Sequence, residues 1–143
     1  MPVKSYLLAG CAMLMLIFTG CGKKNNPGGD NPPPQEKAIE VTLDGVAEKA
    51  YTASPGETYP FKVNITSELP KSGVSITVTA VTDPGGVSVP QDEIPSPVTA
   101  STTITIKGLE PIRTVKVTIT IKSLDNPNNV VIKEFWITNK SDN

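Results

Sequence analysis

The chain has 143 residues, with 13 Lys and Arg against 14 Asp and Glu, a formal net charge of −1 and no histidine. That balance leaves no basic field for nucleic acid, whose phosphates need Lys and Arg clustered on one face. The missing histidine removes the commonest general base, the commonest zinc ligand and every Ser-His-Asp arrangement.

At the N-terminus, residues 1–6 form a short head whose positive charges are the α-amino group and Lys4. Residues 7–18 are almost continuously apolar, and the small residues Thr19 and Gly20 follow. Charge, length and order of parts are those of a secretory signal peptide. The apolar run falls short of the ~20 residues that span a bilayer. Both cysteines, Cys11 and Cys21, lie here, so the rest of the chain has no disulfide, thiol nucleophile or cysteine metal site.

Two boxes compete for the end of the leader. Leu8-Ala9-Gly10-Cys11 leaves only residues 7–10 as the apolar segment, below the about 7–15 residues expected there. Phe18-Thr19-Gly20-Cys21 ends a full-length segment and directly precedes a polar stretch rich in Pro and Gly. Length therefore favours Cys21. These residues resemble the bacterial lipoprotein signal, although Phe18 stands where Leu is usual. The resemblance implies cleavage between Gly20 and Cys21, a diacylglycerol thioether on Cys21 and acylation of the new terminus. One acyl chain holds marginally and two or three hold stably, at ~0.8 kcal/mol per buried methylene. The expected location is the bacterial cell envelope, on the outer membrane, with membrane lipid as the partner of Cys21.

Residues 22–37 carry Lys23, Lys24, several Asn and Gly, and the run Pro32-Pro33-Pro34. No large apolar side chain is present to seed a core, so residues 21–37 read as a lipidated cysteine on a disordered tether. Fully extended, such a spacer reaches about 50 Å.

From Ala38 onward the sequence becomes short alternating runs separated by Pro, Gly, Asn and Asp. Ile39, Val41 and Leu43 share one face of a first strand, and residues 49–53 suit a short edge piece. Tyr59, Phe61, Val63 and Ile65 alternate with polar residues and proline, as do Val74, Ile76, Val78 and Ala80. Asp83-Pro84-Gly85-Gly86 is an emphatic turn. Residues 87–98 hold Pro90, Pro95 and Pro97, which remove ladder donors and predict an edge strand or a long loop. Thr102, Ile104 and Ile106 mark the next strand, and Val115, Val117, Ile119 and Ile121 the clearest one. In the last strand, residues 130–138, neither parity is purely apolar: Lys133 falls among Val131, Phe135 and Ile137, and Glu134 among Val130, Ile132 and Trp136. A bulge near Lys133-Glu134 would resolve this.

About seven short strands with regular turn signals and no amphipathic helix predict an all-β fold: a single antiparallel β-sandwich over residues 38–143. The order of the long strands resembles bacterial immunoglobulin-like domains. The last strand pair, with Asp125-Asn126-Pro127-Asn128-Asn129 between Lys116–Ser123 and Lys133-Glu134-Phe135, resembles immunoglobulin-like lipoproteins of Bacteroidetes-type bacteria. The resemblance implies a fold and leaves the ligand open.

The sequence offers no catalytic residue, no metal site and no cofactor motif. Asp92-Glu93 is a carboxylate pair, but glycosidase work needs two carboxyls across a cleft. Asp83, Asp92, Glu93, Asp125 and Asn126 lie in inter-strand loops without the spacing of a calcium loop. Trp136 is the one candidate ligand-binding residue. The usual burial of tryptophan favours a place between the sheets, whereas an exposed Trp136 beside Glu134 would be an anchor for a ligand. The expected function is a non-catalytic binding, adhesion or assembly module with a protein or glycan partner. The alternative is a carbohydrate-binding accessory lipoprotein.

Overall fold

The computed structural model describes residues 35–141. The leader, Cys11, Cys21 and the tether up to residue 34 lie outside the described residues. Seven strands and no helix make up the described chain, as the period-2 pattern predicts: β1 (Val41–Asp44), β2 (Tyr51–Ser54), β3 (Tyr59–Ile65), β4 (Val74–Asp83), β5 (Thr102–Ile106), β6 (Thr114–Ser123) and β7 (Val130–Asn139). They form a three-stranded sheet in the order β1-β3-β5 and a four-stranded sheet in the order β2-β7-β6-β4.

With β1, β3 and β5 as strands A, B and E, and β4, β6 and β7 as C, F and G, this is immunoglobulin-type sandwich topology without strand D. One pairing departs from the predicted all-antiparallel arrangement: β2 runs parallel to β7. The chain leaves β1 through Gly45 (φ 90°) and Lys49 (φ 58°) and changes sheets without reversing direction. It therefore enters the second sheet still aligned with β1.

The inner faces supply the core. Val115, Val117, Ile119 and Ile121 of β6 alternate inward and are essentially fully buried, as are Phe135 and Ile137 of β7. Phe61 and Val63 of β3 and Ile104 and Ile106 of β5 meet them from the opposite sheet. The rings of Phe61 and Phe135 pack edge to face across the sandwich, with centroids 5.1 Å apart. Leu109, outside any strand, is wholly buried and plugs the β5–β6 corner.

The predicted bulge in the last strand is absent. Residues 130–138 pair with β6 in unbroken register, from Val130 opposite Lys122 to Thr138 opposite Thr114. Lys133 keeps the inward parity, opposite Ile119, and its ammonium reaches Glu48 at 2.7 Å. A long aliphatic stem carrying its charge out to a partner removes the need for a bulge.

Residues 87–98 touch β4 through two isolated bridges, Val81 to Ser88 and Val74 to Val98. At the latter, Gly73 adopts φ 82°, and a Cβ there would stand 3.0 Å from Val98 O. Only glycine fits that approach.

At the pole where β1 begins, the chain is held from Glu36, inside the stretch read as tether. Glu36 accepts hydrogen bonds from Ser123 Oγ (3.0 Å) and Asn129 Nδ2 (2.5 Å). Asn129 also bonds Lys37 O and Ile39 N, so the β6–β7 loop clasps the start of the domain.

The opposite pole carries a strained residue. Ile112 has φ 59°, a region costly for a β-branched side chain, and is 84% exposed. Its N–H is fixed by Asn139 O at 2.9 Å. Ile112→Gly relieves about 1–2 kcal/mol of backbone strain and gives back about 0.5–1 as unfolded-state entropy. A net gain of about 0.5–1 kcal/mol is expected in a urea titration, and a loss of stability would show that the corner needs the side chain.

Candidate functional site

Phe135 and Ile137 must face the core, so period 2 turns Trp136 to the outer face of the four-stranded sheet. This corrects the expectation of a tryptophan packed between the sheets. Register then sets its neighbours. Tyr51, Trp136, Lys116 and Val81 stand opposite one another across β2, β7, β6 and β4. Ala53, Thr138, Thr114 and Asp83 form the adjoining row, and Glu134 pairs with Thr118 on the other side.

The row is held rigidly. Tyr51 and Trp136 are stacked, with centroids 5.4 Å apart and an interplanar angle of 25°. The indole Nε1 donates to Asp83 Oδ2 at 2.6 Å, reaching past β6 to the end of β4. Lys116 lies 5.7 Å from the Trp136 ring and is ion-paired with Glu134 at 2.7 Å. Thr118 Oγ1 also donates to Glu134, at 3.3 Å. Tyr51 is 70% exposed while Trp136 is partly covered by these neighbours. The result is a pre-set aromatic surface with its indole N–H already satisfied. It can stack on a flat apolar ring or accept a partner's side chain.

The Lys116 hydrogen bond holds the Glu134 carboxyl below its ordinary value, against the opposing effect of desolvation. At the β1 end of the sandwich, the Ser72 hydroxyl and then its backbone N–H do the same for Asp125. Both groups bind protons less readily folded than unfolded. Their stabilisation is complete above the unfolded values of 4.5 and 3.8, and is lost as pH falls through the lower folded values. Denaturant midpoints taken from about pH 6 to about pH 2 should fall over that window. Glu134→Gln should make the fall shallower, and an unchanged slope would contradict the coupling to Lys116.

The loop carboxylates do not meet. Asp83 ends β4 beneath the indole, whereas Asp125 accepts from Ser72 N (2.7 Å) and Ser72 Oγ (2.5 Å) beyond the other end of that strand. The ten residues of β4 put about 30 Å between those ends. Asp92 is ion-paired with Lys107. Asn126 caps its own loop by accepting from Asn128 N at 3.1 Å. Among the described residues no group of three or more His, Cys, Asp or Glu is placed to hold a metal ion.

Tyr51, Lys116 and Asp83 are the members of this cluster that strand reading alone did not assemble. The outward parity of Lys116 was legible, but its pairing with Trp136 depends on inter-strand register. Fold and site together define an all-β two-sheet sandwich with an aromatic outer face. No family model matches the chain, and comparison with curated proteins returns no match.

Proposed function

We propose that this chain is a lipid-anchored protein of the bacterial cell envelope that displays its sandwich as a non-catalytic binding module. Cleavage between Gly20 and Cys21 leaves Cys21 acylated in the outer membrane, and the tether presents the domain to its partner. The anchor reading is supported by the leader pattern ending at Cys21. The binding reading is supported by one observation: Tyr51 and Trp136 stack on an outer sheet face, and burial of the core does not require them there. A rigid aromatic pair whose Tyr51 ring is exposed concentrates binding energy.

The outward position of Trp136 also favours a second reading, a carbohydrate-binding accessory lipoprotein. An exposed aromatic ring bordered by hydroxyl and charged side chains suits the apolar face of a sugar, with Thr114, Thr138 and Glu134 beside it to hydrogen-bond hydroxyls.

Two measurements test these readings. Incorporation of a labelled fatty acid is expected in wild type and Cys11→Ser and absent in Cys21→Ser. Label surviving in Cys21→Ser would overturn the anchor. Trp136 is the sole tryptophan of the chain, so its fluorescence reports directly on the face. Titration with neutral oligosaccharides should shift it if a glycan is the ligand. Tyr51→Ala should then weaken binding by about 2 kcal/mol, roughly 30-fold. A flat response across the glycan set removes the carbohydrate reading and leaves a protein partner, to be sought by crosslinking on the intact cell.

A further inference from the structure

β5 pairs on one side only, with β3. Alternation decides which of its backbone groups are used. The even-numbered residues of β3 bond towards β1, a ladder that Thr66 N continues by donating to Glu40 O at 2.8 Å. Pro60, which has no N–H, sits opposite Thr105. The bonds between β3 and β5 therefore run through Ile104 and Ile106, and the N–H and C=O of Thr103 and Thr105 point out of the sheet. Among the described residues these four groups have no hydrogen-bond partner.

The next rung along the same edge is occupied in an informative way. Lys107 N donates to Gln91 Oε1 at 3.0 Å, and Gln91 Nε2 donates to Lys107 O at 3.1 Å. A side-chain amide makes the two bonds that a peptide unit of a neighbouring strand would make. An immunoglobulin constant-type sandwich places a fourth strand, D, on this edge. Here the corresponding residues stand off, because Pro90, Pro95 and Pro97 cannot sustain a ladder. Between them and β5 lies an open groove of about 390 Å³.

We infer that this vacant strand position receives an extended segment of a partner protein, which adds to the edge of β5 through the backbone of Thr103 and Thr105. The groove states the chemistry of the guest. Val78 and Ile94, both partly buried apolar residues of its lining, suit an apolar side chain at the inward position. Glu93 is exposed and in no ion pair among the described residues, which suits a basic side chain at an outward one. Backbone bonds supply affinity and alternate side chains supply selectivity, as in other strand additions. This edge extends the binding-module reading to the opposite sheet and does not depend on the aromatic pair.

The probe is a heptapeptide alternating valine and lysine, acetylated and amidated at its ends, titrated into the isotopically labelled protein. The Thr103 and Thr105 amide protons should shift and exchange at least about tenfold more slowly, as two new backbone bonds require. Methylating alternate peptide nitrogens should abolish the effect. Thr105→Pro, which deletes an N–H the native sheet does not use, should weaken binding while leaving the melting temperature in place. Glu93→Lys should weaken it several-fold. Unchanged Thr103 and Thr105 signals, or equal binding of the methylated peptide, would overturn the assignment. So would protection that appears without peptide as protein concentration rises, since a second copy would then fill the edge. A negative result here, with a Tyr51-dependent ligand still bound, would refute this edge alone and leave the outer face standing.

Discussion

Phe135→Ala is expected to lower the free energy of unfolding by about 3–5 kcal/mol. Phe135 is wholly buried, stands opposite the equally buried Val117, and reaches across to the ring of Phe61. It is therefore a contact between sheets as well as within one. Truncation leaves a void between two hydrogen-bonded sheets that cannot close without breaking ladders. A domain of this size has about 5–15 kcal/mol in total, so the change removes a large share. Urea titration should show a lower midpoint at unchanged slope, and calorimetry a drop of roughly 15–25 °C. Ile132→Thr serves as the control. It lies in the same strand but is 58% exposed on the outer face, and should stay within about 0.5 kcal/mol. A loss below about 1 kcal/mol for Phe135→Ala would mean that this ring pair does not clamp the sheets.

The second large effect lies at a polar residue. Asn139 is fully buried at the end of β7, where its Nδ2 donates to Leu109 O at 2.6 Å. Its Oδ1 accepts from Ser141 N at 2.9 Å and Ser141 Oγ at 2.8 Å. Its own backbone bonds Ile112 N and Arg113 O, so one residue organises the β5–β6 corner and the chain beyond β7. Asn139→Ala leaves the Leu109 carbonyl buried without a donor, a penalty of about 1–3 kcal/mol. With the lost packing, a destabilisation of about 2–3 kcal/mol is expected. Asn139→Leu restores volume without the donor. It should cost nearly as much if the hydrogen bonds matter most, and should recover most of the loss if packing does. Faster hydrogen exchange at Ile112 and Ser141 should accompany both variants.

The two variants mark where sequence reading succeeds and where it stops. The inward parity of Phe135 and Ile137 is legible because apolar alternation is local, and the same alternation would have turned Trp136 outward. The general tendency of tryptophan to be buried argued the other way, and the strand's own period decides against it. Lys133 misled for a related reason. A charge at an inward position reads as an interruption of the pattern. A bulge is inferred only when the reach of the lysine stem to Glu48 is unknown. Asn139 carried no signal at all, since an asparagine near the end of a strand looks like any turn residue. Leu109 lies within Gly108-Leu109-Glu110-Pro111, whose Gly and Pro spell a turn, although its apolar side chain plugs the corner.

Residues far apart in the chain meet through pairings that no local window contains. Tyr51 and Trp136 are neighbours only because the chain changes sheets after β1 without turning back. Asp83 reaches the indole only because β4, β6 and β7 lie side by side. The unfilled edge of β5 exists only because residues 87–98 stand away from it. Composition, hydrophobic period and turn chemistry were enough for the strands, their faces and the two-sheet class, because each of these arises within a few residues. The aromatic face and the open strand position were settled by register and strand order, which arise from packing one sheet against another.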